Sequence, residues 1–342
     1  MRNKRNIRWT GIFLFIAMLL LILDTKTAMH AMADAVEICL RTVIPSLFPF
    51  FIISIMLTGM LQGCAASFLQ PLVRLLGIPS GCESIFIIGL LGGYPVGAKC
   101  IAQTYDAGAL SKAQAERLLG FCCNAGPAFL FGMAGRLFDK AYIPWALWGI
   151  HLLAAVIVGI ILPKLPHENA KKIPPVTITL PEALEQSVKT MGCVCGWIVL
   201  FRVIIAFVQR WFLWFLPLEA QVLLVGLLEL ANGCISLNQI VNPGLRFVLC
   251  AVMLSFGGIC VYAQTISLSH KTGTGMYFPG KLLQSSISAV LACIVQCFLY
   301  PAAQQAALIP LISSVNGCII LVLALFLRKK QNSSSILRPI HV

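Results

Sequence analysis

The sequence predicts an all-α polytopic membrane protein, with about eight transmembrane helices and two re-entrant hairpins in an inverted repeat. Of its 342 residues 59% are hydrophobic and only 11% are charged, and the mean hydropathy is +0.90, whereas soluble domains carry about 25% charged residues. The second observation is that paired interruptions of apolar segments recur, in the same order, in both halves of the chain. Such pairs are typical of transporters that bind a solute at the middle of the membrane.

Apolar runs of about 20 residues, the length that crosses a bilayer, predict the individual elements. Two spans of sufficient length, 117–137 and 246–267, contain the helix-breaking sequences CNAGP and SFGG. Segments 84–105 and 220–240 are broken centrally by GGYPVG and ELANG, so each is predicted to enter and leave the membrane on one side. The uninterrupted spans are 7–23, 45–61, 145–162, 192–208, 282–299 and 308–327.

The distribution of positive charge predicts the topology, because Lys and Arg concentrate in cytoplasmic loops. With the N-terminus in the cytoplasm, most of the 25 Lys and Arg residues fall in inner segments, among them Arg117, Lys271 and Lys281, while Lys140 lies outside. Both termini are then cytoplasmic, and the two hairpins open to opposite faces. The first unit is therefore predicted to recur upside down in the second half.

The domain organisation follows from this repeat. A basic start, an apolar run and the sequence Ala31-Met-Ala33 also fit a cleaved signal peptide. The polar stretch before that site favours a retained signal anchor, and cleavage stays the alternative. The predicted units are an N-terminal signal-anchor helix and amphipathic segment (1–44), the first repeat (45–162), a cytoplasmic linker (163–191), the second repeat (192–299), and a C-terminal helix with a basic tail (300–342).

The interruptions are the predicted substrate-binding site, because each one frees backbone N–H or C=O groups at the end of a half-helix. Glycines permit unwinding, and the amides and hydroxyls supply neutral donors and acceptors for a hydroxylated or heterocyclic solute. The alternative is that the small residues only allow helices to pack closely. The candidate residues are Gly92, Gly93, Tyr94, Pro95, Gly97, Lys99, Asn124, Gly126, Glu229, Asn232, Gly233, Ser255, Gly257, Gly258 and Gln264.

Ionisable residues at membrane depth are costly and therefore indicate function. Glu229 is the strongest candidate for a proton or cation site or a solute ligand, and its alternative is a carboxyl capped by hairpin amides. Lys99 either contributes to the site or extends its amine to the cytoplasm. Structural pairing is predicted for Arg202. For His151, hydrogen-bonded packing is predicted in preference to the alternative of a proton relay.

Six segments, spread over most of the chain, carry a family resemblance. They are PSLFPFFIIS (45–54), GYPVGAK (93–99), KAQAERLLGFCCNAGP (112–127), LEQSVKTM (184–191), GLLELANG (226–233) and LSFGGICVYAQ (254–264). In these segments the sequence resembles the sporulation integral membrane protein family (YlbJ-type), whose members carry nucleoside-recognition Gate domains. The resemblance implies a multi-pass cell-membrane protein of spore-forming bacteria that moves or gates a small solute.

The predicted function is therefore a transporter-like protein that binds or gates a small polar, nucleoside-like solute, with a part in sporulation. The alternative is a non-transporting scaffold of a sporulation membrane complex. The sequence lacks HExxH, Walker A and GxSxG motifs, so no enzyme activity is predicted, and neither a cofactor nor a metal is expected. The expected partners are the lipid bilayer and an unknown solute, with coupling to an ion or proton and homo-oligomerisation left open; nucleic acid is not expected.

Overall fold

The computed structural model describes residues 4–61, 70–165, 177–269 and 271–300, and every regular element in these ranges is helical. The predicted span 308–327, the basic tail and part of the linker 163–191 lie outside them. The described α-helices are α1 Lys4–Leu23, α2 Thr25–Ile38, α3 Ile44–Leu61, α4 Gln70–Leu76, α5 Ser84–Leu91, α6 Val96–Asp106, α7 Lys112–Cys122, α8 Pro127–Gly132, α9 Ile143–Ile161, α10 Leu180–Val208, α11 Leu218–Leu228, α12 Leu230–Ser236, α13 Pro243–Phe256, α14 Gly258–Leu268 and α15 Tyr277–Leu299.

Five helical stretches are long and apolar enough to cross a membrane, and this confirms the predicted class of an all-helical, polytopic membrane protein. The predicted spans 45–61, 145–162, 192–208, 246–267 and 282–299 each coincide largely with one of them. The number of spans and the inverted orientation of the halves stay predictions. The five stretches are Thr25–Leu61, Ile143–Ile161, Leu180–Leu213, Pro243–Leu268 and Tyr277–Leu299.

Two of these helices are longer than a bilayer requires. A π-helical turn joins α2 to α3 in a 37-residue helix, and a second π-helical turn extends α10 to 34 residues. At 1.5 Å per residue they measure about 55 and 51 Å. They pack side by side and antiparallel, since Arg202 pairs with Asp34 at 3.0 Å and Arg210 pairs with Asp24 at 3.2 Å. The pairing predicted for Arg202 is thus present.

All four predicted interruptions coincide with helix ends. A turn at 92–95, whose Tyr94–Pro95 peptide bond is cis, separates α5 from α6. Four non-helical residues separate α7 from α8, which begins at Pro127, a residue that fits the first turn because it needs no N–H partner there. The extended residue Glu229 alone divides α11 from α12. Gly257, with a φ of 82°, divides α13 from α14.

The same order of elements occurs twice. In the first half, the long helix α3 precedes the short pair α5–α6, the broken helix α7–α8 and the long helix α9. In the second half, α10 precedes the short pair α11–α12, the broken helix α13–α14 and the long helix α15. The halves are not separate bodies, because α15 packs against α7 and α9 as well as α13. The breaks of both halves therefore meet inside one core.

Two contacts join residues of the first half to residues of the second half. Lys271 lies 3.4 Å from Asp106 in an ion pair, and Arg246 donates to the backbone carbonyl of Leu137 at 3.0 Å. The topology of the segments stays a prediction.

Arg117 does not lie in a solvated loop, as the charge count assumed. Its side chain is buried, and the guanidinium donates to backbone carbonyls at the C-terminal end of α9 and after α4. The acceptors are the carbonyls of Pro163 (2.7 Å), Gly77 (3.3 Å), Leu76 (2.7 Å), Gly159 (2.7 Å) and Leu162 (3.3 Å). Five donors on a rigid planar group suit this task, because the last carbonyls of a helix have no partner within it.

Candidate functional site

Within each half, the break of the short helix pair rests directly on the break of the long helix. A Cβ atom on Gly93 would lie 2.7 Å from the backbone nitrogen of Gly126, and the φ of Gly93 is 71°. In the second half, a Cβ on Gly258 would lie 3.3 Å from the carbonyl oxygen of Leu228 and the nitrogen of Leu230, with a φ of 87°. Only glycine combines this approach with a positive φ, so backbone meets backbone at both contacts.

Tyr94 connects the two halves. A Cβ on Gly257 would lie 2.8 Å from the tyrosine hydroxyl oxygen, so the ring of the first break packs on the break between α13 and α14. The hydroxyl is buried and has no hydrogen-bond partner among the described residues. Buried polar groups without partners are rare and call for an explanation.

A small cavity lies where these breaks converge. Its volume is about 50 Å³, and since one water molecule occupies about 10–15 Å³ by this measure, it holds a few waters or a small ion. Both halves contribute to its wall. The lining residues are Val43, Leu47, Phe51, Gly92, Gly93, Tyr94, Gly126, Ala128, Phe129, Val194, Ile198, Glu229, Leu230, Ala231, Val261 and Gln264.

Glu229 is both a wall of the cavity and the N-cap of α12. One carboxyl oxygen accepts from the N–H of Ala231 at 3.0 Å. The other accepts from the N–H and from the side-chain amide of Asn232, each at 2.7 Å. The predicted pairing of Glu229 with Asn232 is present, and so is the amide capping that was its structural alternative. A carboxyl at this position matches the positive end of the helix dipole.

A second cavity of about 200 Å³ adjoins the first, since Val194 and Gln264 line both. Lys99 and Lys189 lie on its wall together with Pro95. The Lys99 amine donates to the side-chain oxygen of Gln186 at 2.9 Å. This second cavity, called the vestibule below, thus lies beside the central cavity and is lined by two lysines, of which Lys189 pairs with Glu185 at 2.6 Å.

Asn124 lies in a different cluster from Glu229, contrary to the predicted single polar site. Its amide donates to the Phe121 carbonyl at 2.8 Å, and its oxygen accepts from Gln284 at 2.9 Å and from the Lys281 amine at 3.5 Å. Lys281 also donates to the Cys123 carbonyl and, at 2.6 Å, to Gln284.

The placement of Lys281 in a segment between spans was therefore wrong, whereas the side of the membrane on which it lies stays a prediction. The side chain has 0% exposure and lies inside α15, which already begins at Tyr277, five residues before the predicted span. Lys281, Gln284 and Ser288 recur at spacings of three and four residues, which places them on one face of a helix. That periodicity was the available signal for a buried polar face on α15.

Ser255 belongs to a third cluster, formed around His151. The imidazole Nε2 accepts from the N–H of Ala125 at 3.1 Å, and Nδ1 lies 3.0 Å from the hydroxyl of Ser255. That hydroxyl lies 2.6 Å from the hydroxyl of Ser288. The network joins α9, α13 and α15 to the break before α8, as expected for hydrogen-bonded packing of His151.

The remaining candidate glycines serve close packing. A Cβ on Gly97 would lie 2.7 Å from the carbonyl oxygen of Cys122, and a Cβ on Gly233 would collide with Gly226. Among residues 4–61, 70–165, 177–269 and 271–300, no group of three or more His, Cys, Asp and Glu side chains could hold a metal ion. The arrangement thus offers a largely apolar cavity to which Tyr94, Glu229 and Gln264 contribute polar residues, a vestibule lined by two lysines, and two supporting polar clusters.

Comparison with known proteins relates the chain to a curated membrane protein. The chain is 27% identical to the sporulation integral membrane protein YlbJ of Bacillus subtilis (strain 168), and the alignment covers 77% of this chain and 76% of that protein. This relationship supports the resemblance to the YlbJ-type family, while the Gate domains stay a prediction. No protein-family model matches the sequence, and no solved structure matches it.

Proposed function

We propose that this membrane protein binds or gates a small polar solute in the cavity between the helix breaks, in a process connected with sporulation. The observation that carries the proposal is the shared wall of that cavity. Gly93 and Tyr94 come from one break, Gly126 from a second, Glu229 from a third, and Gln264 from α14. Ordinary close packing of small residues accounts for the glycine contacts, but it gives no reason for polar residues from both halves to line one space.

The chemistry of the wall defines the class of solute. The Tyr94 hydroxyl has an unused donor and acceptor, and Gln264 carries an amide. Glu229 adds a carboxyl on the same wall. A solute with both a hydroxyl or amide group and an electron-poor or cationic group fits these partners. A nucleoside-like solute needs a larger space than about 50 Å³, since ligand pockets enclose about 300–1,000 Å³; its binding therefore requires the halves to separate.

The vestibule is the proposed route to this site. It adjoins the cavity at Val194 and Gln264, and its volume of about 200 Å³ is larger. Movement of the Gln264 side chain would join the two spaces. The similarity to a sporulation integral membrane protein supports the connection with sporulation, and the resemblance to Gate-containing proteins supports nucleosides and related metabolites as the first compounds to test.

Thermal unfolding of the purified protein with a panel of metabolites tests the proposal, because a ligand that binds only the folded state raises the unfolding temperature. We expect one class of hydroxylated or heterocyclic solute to raise it in the native protein. Tyr94→Phe should unfold at an unchanged or slightly higher temperature without solute, because it removes an unpaired buried hydroxyl. The same variant should lose most of the solute-induced increase.

Tyr262→Phe is the matched control. Its hydroxyl lies 3.4 Å from the hydroxyl of Thr274, and the residue does not line the cavity. This variant should keep the full solute response. An equal loss of response in both variants, or normal sporulation in cells that carry Tyr94→Phe together with Gln264→Leu, would contradict a solute site here and favour the non-transporting scaffold.

A further inference from the structure

The buried amine of Lys281 is held by oxygen atoms that carry no formal charge. Its three N–H donors have three acceptors, namely the Cys123 carbonyl, the Gln284 side-chain oxygen at 2.6 Å and the Asn124 side-chain oxygen at 3.5 Å. All four residues are at most 1% exposed. Among the described residues, no carboxylate forms an ion pair with this amine.

The fold explains why these oxygens are available. Helix α7 ends at Cys122, and Cys123 is extended, with φ −96° and ψ 105°. The last carbonyls of α7 therefore have no partner inside the helix and carry the negative end of its dipole. Carbonyl oxygens at such a break are the groups that replace the hydration shell of an alkali cation in membrane proteins.

The Tyr94 ring completes the environment. The Lys281 nitrogen lies 5.5 Å from the ring centroid, a distance at which a cation is attracted to the aromatic face. Tyr94 itself belongs to the break between α5 and α6. A positive charge at this point thus holds the break in α7–α8 and the break of the short helix pair against α15.

We propose that Lys281 is a tethered cation that permanently fills a monovalent-cation site made by Cys123, Asn124 and Gln284. The native protein then holds its first-half breaks together without dissolved sodium or potassium. Removal of the side chain vacates the site, which then binds an alkali cation from solution. This inference does not depend on the solute site proposed above, because it concerns only the occupant of the oxygen cluster.

Lys281→Ala tests the inference, with the protein purified in detergent and sodium chloride. Its unfolding temperature is then compared in choline, sodium and potassium chloride at equal ionic strength. The native protein should unfold at the same temperature in all three salts, because the Lys281 amine already occupies the site. Choline serves as the reference cation, because it is too large to replace a bare alkali ion. Lys281→Ala should unfold at a lower temperature in choline, and sodium or potassium should raise it by a few degrees in a saturable manner.

Two further variants isolate the site. Lys281→Met fills the same space without charge, so it should be destabilised in every salt and show no cation response. Lys281→Ala combined with Asn124→Ala removes one oxygen ligand and should respond to at least tenfold higher cation concentrations. A saturable sodium or potassium response in the native protein would overturn the inference. The inference would also be overturned if Lys281→Ala unfolded at the same temperature in all three salts. Failure of Lys281→Ala to fold even with sodium present throughout would overturn it as well.

Discussion

Replacement of Glu229 measures how much one carboxyl at the break between α11 and α12 contributes to the stability of the protein. In Glu229→Gln, one of the two oxygens becomes an NH₂ group. The glutamine amide keeps more hydrogen bonds when its oxygen accepts from the two donors of Asn232 and its NH₂ group faces the N–H of Ala231. One hydrogen bond is lost and two donors then face each other in a buried place. An unsatisfied buried group costs about 1–3 kcal/mol.

The expected change is therefore a decrease of about 1–3 kcal/mol in the free energy of unfolding, which for a chain of 342 residues corresponds to a decrease of about 1–4 °C in the unfolding temperature. Glu229→Ala should cost more, because all three hydrogen bonds and the N-cap of α12 are lost, the cap alone contributing about 0.5–2 kcal/mol. Thermal unfolding in detergent, followed by circular dichroism, measures both variants against the native protein.

Glu182→Gln is the control for this pair. Glu182 lies in the exposed capping box of α10, where glutamine can take the same role. No measurable change in unfolding temperature is expected for it. If Glu229→Gln unfolds at the native temperature or above it, the capping geometry does not stabilise the break, and the reasoning from the three hydrogen bonds is wrong.

Three further substitutions probe other parts of the core, each measured as a change in thermal unfolding. Gly93→Ala should lower the free energy of unfolding by about 2 kcal/mol or more, because a left-handed conformation costs about 1–2 kcal/mol without glycine and the new Cβ also collides with the neighbouring break. Gly108 is left-handed too, but a Cβ there would have nothing within 4 Å, so Gly108→Ala should show only the conformational cost of about 1–2 kcal/mol. Arg117→Lys should lower the free energy of unfolding by about 3–6 kcal/mol, because at least two hydrogen bonds from a charged donor are lost at about 1.5–3 kcal/mol each; an unchanged unfolding temperature would show that lysine reaches the same carbonyls. Ser255→Ala should cost about 1–3 kcal/mol, since it leaves the imidazole of His151 without one partner, and stability equal to the native protein would mean that water replaces the hydroxyl.

The membrane class and the positions of the breaks were predictable from the sequence, because both are local properties of the chain. High hydropathy requires burial or lipid, and helix hydrogen bonds end where proline lacks its N–H and glycine permits a positive φ. Gly257, with a φ of 82°, and Pro127, in the first turn of α8, are at the predicted points. The capping of Glu229 by Ala231 and Asn232 is also local, since these residues are two and three positions apart.

Only the tertiary structure decided which free groups meet. Lys281 lies 158 residues from the Cys123 carbonyl and 157 from the Asn124 oxygen that it contacts, so no window of sequence contains both partners. A count of charges treats a lysine next to an apolar run as a loop residue, although the same lysine can lie inside when helix ends supply unpaired carbonyls. The separation of Asn124 from Glu229 has the same cause, because packing of α15 against α7 and α9 gives Asn124 its partners. Local chain chemistry fixes where helices end, whereas long-range packing fixes which side chain occupies each end.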